Sequence, residues 1–457
     1  MGVISVIDQS VALVMQVSSV SLPLAATKFL SESRGEGAAA FARRYHAFFR
    51  AILLFLFLGM AAGVSIAAWR PELLGTELAQ YHGYLIIGLL AMPGTALALF
   101  LRNVLAARGS YHGSALVWTI ASLALAALTW VGIRRAGIAG FYWVNVIVWT
   151  LLAAGTAVYL RVKEKLVPER GGFSIVTEIR ARPAIGTFCS VMYVLAFTHP
   201  LAFLVARYTV FTLLGEAETG YLQAVYGIAL GISMVLANAT NLYLTPTVNQ
   251  KIPAEEKIRT SLRFQRGLAL LVAPAAMGVV LFPQEVLYLL FSQEFVHASR
   301  FLYAFVLSEA LLLLAGVYQA LVIGFDDLKS HFGICLCAHA SIALVSLWLV
   351  PHFGIGGVLG GFLGASVLIF GLSLARLTAA HGFRLPGRLA GLMAYVLLAV
   401  GVAGAVVAQG TSFTPASVAL RLAGYALFVG SLWFFLDARE KQVVWQYAKK
   451  VLGIDSR

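Results

Sequence analysis

Apolar runs long enough to cross a membrane recur thirteen times along this chain, and they leave few folds open. A helix needs about 20 apolar residues to span roughly 30 Å of hydrocarbon. Runs of that kind lie near residues 4–32, 48–69, 83–107, 112–133, 138–161, 184–212, 219–248, 263–282, 299–324, 330–350, 354–378, 388–408 and 417–436. In lipid the chain must satisfy its own backbone polar groups, which favours helices for runs of this length. The expected fold class is an all-α polytopic membrane protein. Of the 457 residues, 60% are hydrophobic and only 12% charged, far more apolar surface than a soluble core requires.

A net charge of +13 would suit nucleic acid, but its placement excludes that partner. Lys and Arg gather in alternate loops: Arg34, Arg43 and Arg44; then Arg161, Lys163, Lys165, Arg170, Arg180 and Arg182; later Lys251, Lys257, Arg259 and Arg263, then Arg376, Arg384 and Arg388. The tail adds Arg439, Lys441, Lys449, Lys450 and Arg457, whereas the other side keeps Arg70, Arg134, Arg135, Arg300 and Arg421. Basic loops stay cytoplasmic. The expectation is therefore a multi-pass protein of the cell (cytoplasmic) membrane with its C-terminus inside.

The sequence also repeats. A turn "GIAG" at Gly137 matches "GIGG" at Gly354, 217 residues on. Gly2 and Gly220, Gly109 and Gly324, and more loosely Pro23 and Pro246 follow at nearly the same offset. Because the basic loops of both copies share a side, the repeat is parallel, as in several transporter folds. The expected division is an N-lobe over 1–162, a basic inter-lobe loop over 163–183, a C-lobe over 184–378, two trailing helices over 379–436 and a basic amphipathic tail over 437–457. The second copy opens with a span, 184–212, that has no counterpart before residue 1. The first copy is then one helix short, through a start codon placed late or as a real loss.

Three stretches now carry a family resemblance. "RYTVFTLLGEAETGYLQAVYGIA" (207–229), "FPQEVLYLLFSQEFVHASRFL" (282–302) and "SLPLAATKFLSE" (21–32) resemble polysaccharide flippases. These are the Wzx-type O-antigen and polysaccharide biosynthesis proteins of the multidrug/oligosaccharidyl-lipid/polysaccharide exporter superfamily. The chain departs from that pattern at Ala206, where an acidic residue is usual, and at Ser292, where a glycine is common. The resemblance implies 14 helices, of which this chain offers about 13, in two lobes around a central cavity. It also implies a flippase that moves a polyprenyl-diphosphate-linked oligosaccharide by alternating access, with polysaccharide polymerase or assembly proteins as partners.

Ionisable groups inside spans are costly unless they face water or a partner, so each is a site candidate. They are Asp8, Lys28, Arg102, Arg207, Glu309 and His199. Cations suit a lipid diphosphate, arginine above all. The bland alternative for Lys28, Arg102 and Arg207 is snorkelling to the headgroups. Glu309 lies deeper and calls for a pairing or coupling role. Asp8 sits near the chain start, where water is the simple explanation. His199 precedes Pro200, which frees a helix carbonyl, so the imidazole either satisfies that carbonyl or relays protons.

"PQEVLYLLFSQEF" has the spacing of an interfacial helix anchored by Tyr288 and Phe291. The tail reads as an inner-leaflet helix attracted to anionic membrane lipid. Cys337 and His339 on an apolar helix are packing residues, so no metal is expected. No Walker, dinucleotide-binding or nucleophile-elbow pattern occurs, so no cofactor and no enzyme activity are expected. A cation-coupled multidrug extruder of the same fold is the nearest alternative, with carboxylates rather than cations in its cavity. A membrane glycosyltransferase or polymerase is the other, and it would want catalytic carboxylates and a large outer loop.

Overall fold

The computed structural model describes residues 2–19, 21–33, 36–70, 81–163, 174–409, 414–438, 440–442 and 445. Among them all regular structure is helical. The opening helices are α1 (Gly2–Ser19), α2 (Leu22–Ser33), α3 (Ala38–Trp69), α4 (His82–Arg108) and α5 (Tyr111–Val162). A short α6 (Ile175–Ala181) leads to α7 (Pro183–Leu214) and α8 (Glu216–Ala239). After a π-helical turn, Thr240–Leu244, come α9 (Thr245–Val248), α10 (Ala254–Leu281) and α11 (Pro283–Leu290). A 3₁₀ segment, Gln293–Ala298, precedes α12 (Ser299–Gly324), α13 (Leu328–Phe353), α14 (Ile355–His381), α15 (Gly387–Ala408) and α16 (Pro415–Ser431). The basic tail lies almost wholly outside the described residues.

Eleven of these helices are long and apolar enough to cross a membrane, and α1 with α2 adds a twelfth span, bent by 44°. The break falls at Ser21, whose φ of 53° is left-handed, just before Pro23. Helix α5 has 52 residues, roughly 78 Å at 1.5 Å per residue, more than twice a bilayer core. It doubles back at Ala136 and Gly137, so the two runs expected at 112–133 and 138–161 are the arms of one hairpin.

That hairpin recurs. Gly137 has φ 58° and ψ −138°, and Gly354, between α13 and α14, has φ 57° and ψ −134°. A residue with a Cβ strains at such angles, and glycine does not. The packing repeats too. A Cβ added at Gly140 would lie 2.0 Å from the Gly132 carbonyl oxygen; one added at Gly357 would lie 2.4 Å from the Leu349 carbonyl carbon. Both contacts keep the 217-residue offset. The Gly109 and Gly324 match does not hold: Gly109 is a left-handed cap with φ 87°, whereas Gly324 ends α12 and the left-handed residue there is Asp326, φ 60°.

Two cores result. One gathers α2, α3 and α4, with Phe41, Phe48, Ile52 and Phe100 fully buried. The larger gathers α7, α8, α10, α12, α14 and α15 around Phe305, Leu314 and Tyr318. Helix α7 contributes to both: Ile185 to Leu195 pack in the first core, Ala202 to Val210 in the second. The lobes otherwise meet where α1 and α2 touch α7, α8 and α9, and where α4 and α5 touch the π-helical turn.

The stretch at 283–298 is not one flat helix. Tyr288, Leu289 and Leu290 of α11 are exposed, but Phe291 folds back on Phe295, ring centroids 5.3 Å apart. Arg421, counted with the charges of the outer side, is buried in α16. It donates to the Leu281 carbonyl that ends α10 and pairs with Glu285 at 2.9 Å.

Candidate functional site between the lobes

The three cations do not snorkel. Lys28, Arg102 and Arg207 are all buried, and the first two bond across the seam between the lobes. Lys28, near the end of α2, donates to the Ile323 carbonyl at 3.0 Å and pairs with Asp326. The carbonyls that end a helix lack intrahelical donors and carry partial negative charge. Lys28 therefore caps α12 from the opposite lobe. Its Nζ lies over the Phe188 ring of α7, 5.6 Å from the centroid.

Arg102 of α4 donates to the Asn238 side-chain oxygen of α8 at 2.9 Å and stacks on Trp118 at 4.3 Å. Both partners are neutral. Among the described residues no carboxylate lies within ion-pair distance of Arg102. Arg207 of α7 lies over Phe203 at 4.5 Å and near Tyr226 at 5.8 Å, and the Asp8 carboxylate of α1 attracts it across the seam. Asp8 in turn accepts a hydrogen bond from Tyr142 at 3.1 Å. Water is thus not its only partner.

Exposure shows where the hollow is. On α7 the accessible apolar residues Val194, Phe197, Leu201 and Tyr208 form one stripe that faces lipid. His199 lies on the opposite side of the helix, among buried Leu195, Phe203, Ala206 and Val210, and is nevertheless exposed. A polar side chain exposed on that face looks into space between helices rather than toward lipid. Asp8 is exposed in the same sense. The His199 ring meets the His339 ring of α13 edge-on at 5.1 Å, and Thr198 bonds His339 at 2.8 Å. The imidazole is thus directed at a second histidine and the hollow rather than at the carbonyl freed by Pro200. Glu309 is buried in α12, away from the seam, beside a small cavity that it lines with Ser233 and Ala229.

At the basic end the lobes are latched, which no single motif announced. Glu36, between α2 and α3, accepts from Arg182 at 2.6 Å, Arg44 at 2.7 Å and Lys251 at 3.3 Å. Arg182 also reaches Glu32, at 3.6 Å. Burial alone would raise the Glu36 carboxyl, but those three donors outweigh it and hold it at about 2. Around it Glu178 of α6 pairs with Arg43 and Arg44, at 3.0 and 3.6 Å, and Arg376 pairs with Asp327 at 2.6 Å. Asp327 is raised by its partial burial, yet its bonds to Arg376 and Ser330 bring it below the usual carboxylate range. Lys257 meanwhile donates to the Gly324 carbonyl at 2.7 Å. Lys28 and the Glu36–Lys251 pair thus tie one lobe to the other, whereas the Lys257 and Arg376 bonds lie within the second lobe.

This arrangement of helices matches known transporters. A crystal structure of a MATE point mutant superposes with a TM-score of 0.64, at 13% identity, over 83% of this chain and 89% of that one. The lipid II flippase MurJ in an inward closed conformation gives 0.59 at 14% identity, over 94% and 97%. A MOP-superfamily transporter from Pyrococcus furiosus, described by a reversed polarity of its binding pocket, gives 0.56 at 14%, over 86% and 88%. The fold is that of the MATE and MurJ transporters. Neither a protein-family model nor a functionally characterised protein matches the sequence. At such low identity the likeness concerns the transporter fold, and the cargo has to be argued from the hollow.

Proposed function

We propose that this protein flips a polyprenyl-diphosphate-linked oligosaccharide from the inner to the outer leaflet of the cytoplasmic membrane, for cell-surface polysaccharide assembly. The observation that carries the reading is Arg102, a buried guanidinium at the seam whose partners among the described residues are neutral. A bare cation in a low-dielectric wall is costly, and a phosphate passing through the hollow would relieve that cost. Arg207 and Lys28 would extend the cationic path along the seam. The lobes would alternate between two closures, the ion pairs at the basic end holding the inner one.

Asp8 favours a second reading. A carboxylate exposed to the hollow suits a cationic drug, and Arg207 offsets it only in part. The extruder alternative therefore stands beside the flippase.

Reconstituted liposomes separate the two. A fluorescent polyprenyl-diphosphate sugar placed in one leaflet should become accessible in the other, and Arg102→Gln should slow this about tenfold or more. Transport of a cationic dye that Asp8→Asn abolishes, with no lipid movement, would establish the extruder instead.

A further inference from the structure

We infer that the outer flank of the second lobe holds a dedicated site for an anionic phospholipid of the inner leaflet, separate from the transport hollow. Between α10 and α15, at their basic ends, the structure opens a groove of about 190 Å³. Its floor is apolar, formed by Leu262, Leu389, Leu392 and Phe435, and its rim carries Arg263, Arg266 and Arg388.

The three arginines differ in their bonding. Arg266 is committed to the segment after α16: it pairs with Glu440 at 2.7 Å and Asp437 at 3.4 Å and donates to the Phe435 carbonyl at 2.7 Å. Arg388 donates only to carbonyls, those of Phe434 and Leu436, at 3.3 and 3.1 Å. Those bonds close the back of the groove and leave the charge uncompensated. Arg263 is exposed. Among the described residues neither Arg263 nor Arg388 has a carboxylate within 4.0 Å.

Depth fits a headgroup. Arg388 is the second residue of α15. The 18 residues of α10 beyond Arg263 reach roughly 27 Å at 1.5 Å per residue, so Arg263 lies one bilayer core from the far end of its helix. Both guanidiniums sit where a phosphate sits, with a hydrocarbon-lined floor below for the glycerol and first acyl carbons. General attraction of basic loops to the inner leaflet needs no such floor. Two unpaired guanidiniums above an apolar groove form a place for one lipid molecule.

Native mass spectrometry of the full chain, titrated with phosphatidylglycerol or phosphatidylcholine, tests this. One phosphatidylglycerol should bind in preference to phosphatidylcholine. Arg263→Ala should weaken it about fivefold and the double change Arg263→Ala, Arg388→Ala about 25-fold. Arg300→Ala, at the other end of the bundle, should have no effect. Excess inorganic phosphate should fail to displace the lipid; displacement would mean an anion site that ignores the acyl chain, and would overturn the proposal. Equal retention of both lipids, or wild-type affinity in the double variant, would overturn it too. Arg263 is exposed, so its single variant keeps the test valid if the double variant folds poorly.

Discussion

Glu36→Gln is the substitution that most directly probes the closure between the lobes. The wild-type carboxylate bridges Arg44 of its own lobe to Arg182 of the inter-lobe segment and Lys251 of the other lobe. Only the last two reach beyond its own lobe, so only they bias opening. Arg182 is about one-third exposed and Lys251 mostly exposed, and exposed pairs contribute roughly 0.2–1 kcal/mol each. Their combined loss is about 1 kcal/mol, which moves an equilibrium between closed and open inner faces roughly fivefold. Nitroxide labels at the exposed positions Lys163, which caps the end of α5 in the first lobe, and Glu255 of the second lobe would report the change by electron double resonance after Cys189, Cys335 and Cys337 are replaced. The long-distance fraction should grow in Glu36→Gln and stay put in Glu255→Gln made with a label at Ala254. An unchanged distance distribution would refute the latch, since nothing else about the change alters packing.

Other expectations follow from the same geometry. The latch should be insensitive to pH from 5 to 8: with Glu36 held at about 2, below its ordinary 4.5, its contribution is complete above 4.5 and fades only as pH falls toward 2, which the same labels can follow. Lys28→Gln should leave Asp326 and the end of α12 without their cap and shift the labels further than Glu36→Gln does, because Lys28 is buried. Gly140→Ala should cost roughly 1–3 kcal/mol and lower the melting temperature in detergent, whereas Gly155→Ala, with open space around it, should be neutral. Arg421→Ala should destabilise by about 2 kcal/mol in the same assay, through the stranded Glu285 and Leu281 carbonyl.

Much of the architecture was legible before any coordinates, because a bilayer imposes a length on every crossing. The runs at 112–133 and 138–161 could be separated by Gly137 alone, and the matching turn at Gly354 follows from glycine's access to positive φ. Six candidate residues were also visible as charges in apolar surroundings. Their partners were not. Asn238 lies 136 residues from Arg102, and Ile323 lies 295 from Lys28; no local pattern links them.

Composition and periodicity thus determined the medium, the helices, the turns and the list of costly charges, since each depends on a residue and its near neighbours. Tertiary packing decided which charges meet. It turned Lys28 from a snorkelling side chain into a cap on the opposite lobe, buried Arg421 under α10, aimed His199 into a hollow and left Arg102 among neutral partners. Those outcomes depend on how two lobes sit against each other, and a burial cost is set by surroundings that a single strand of sequence does not contain.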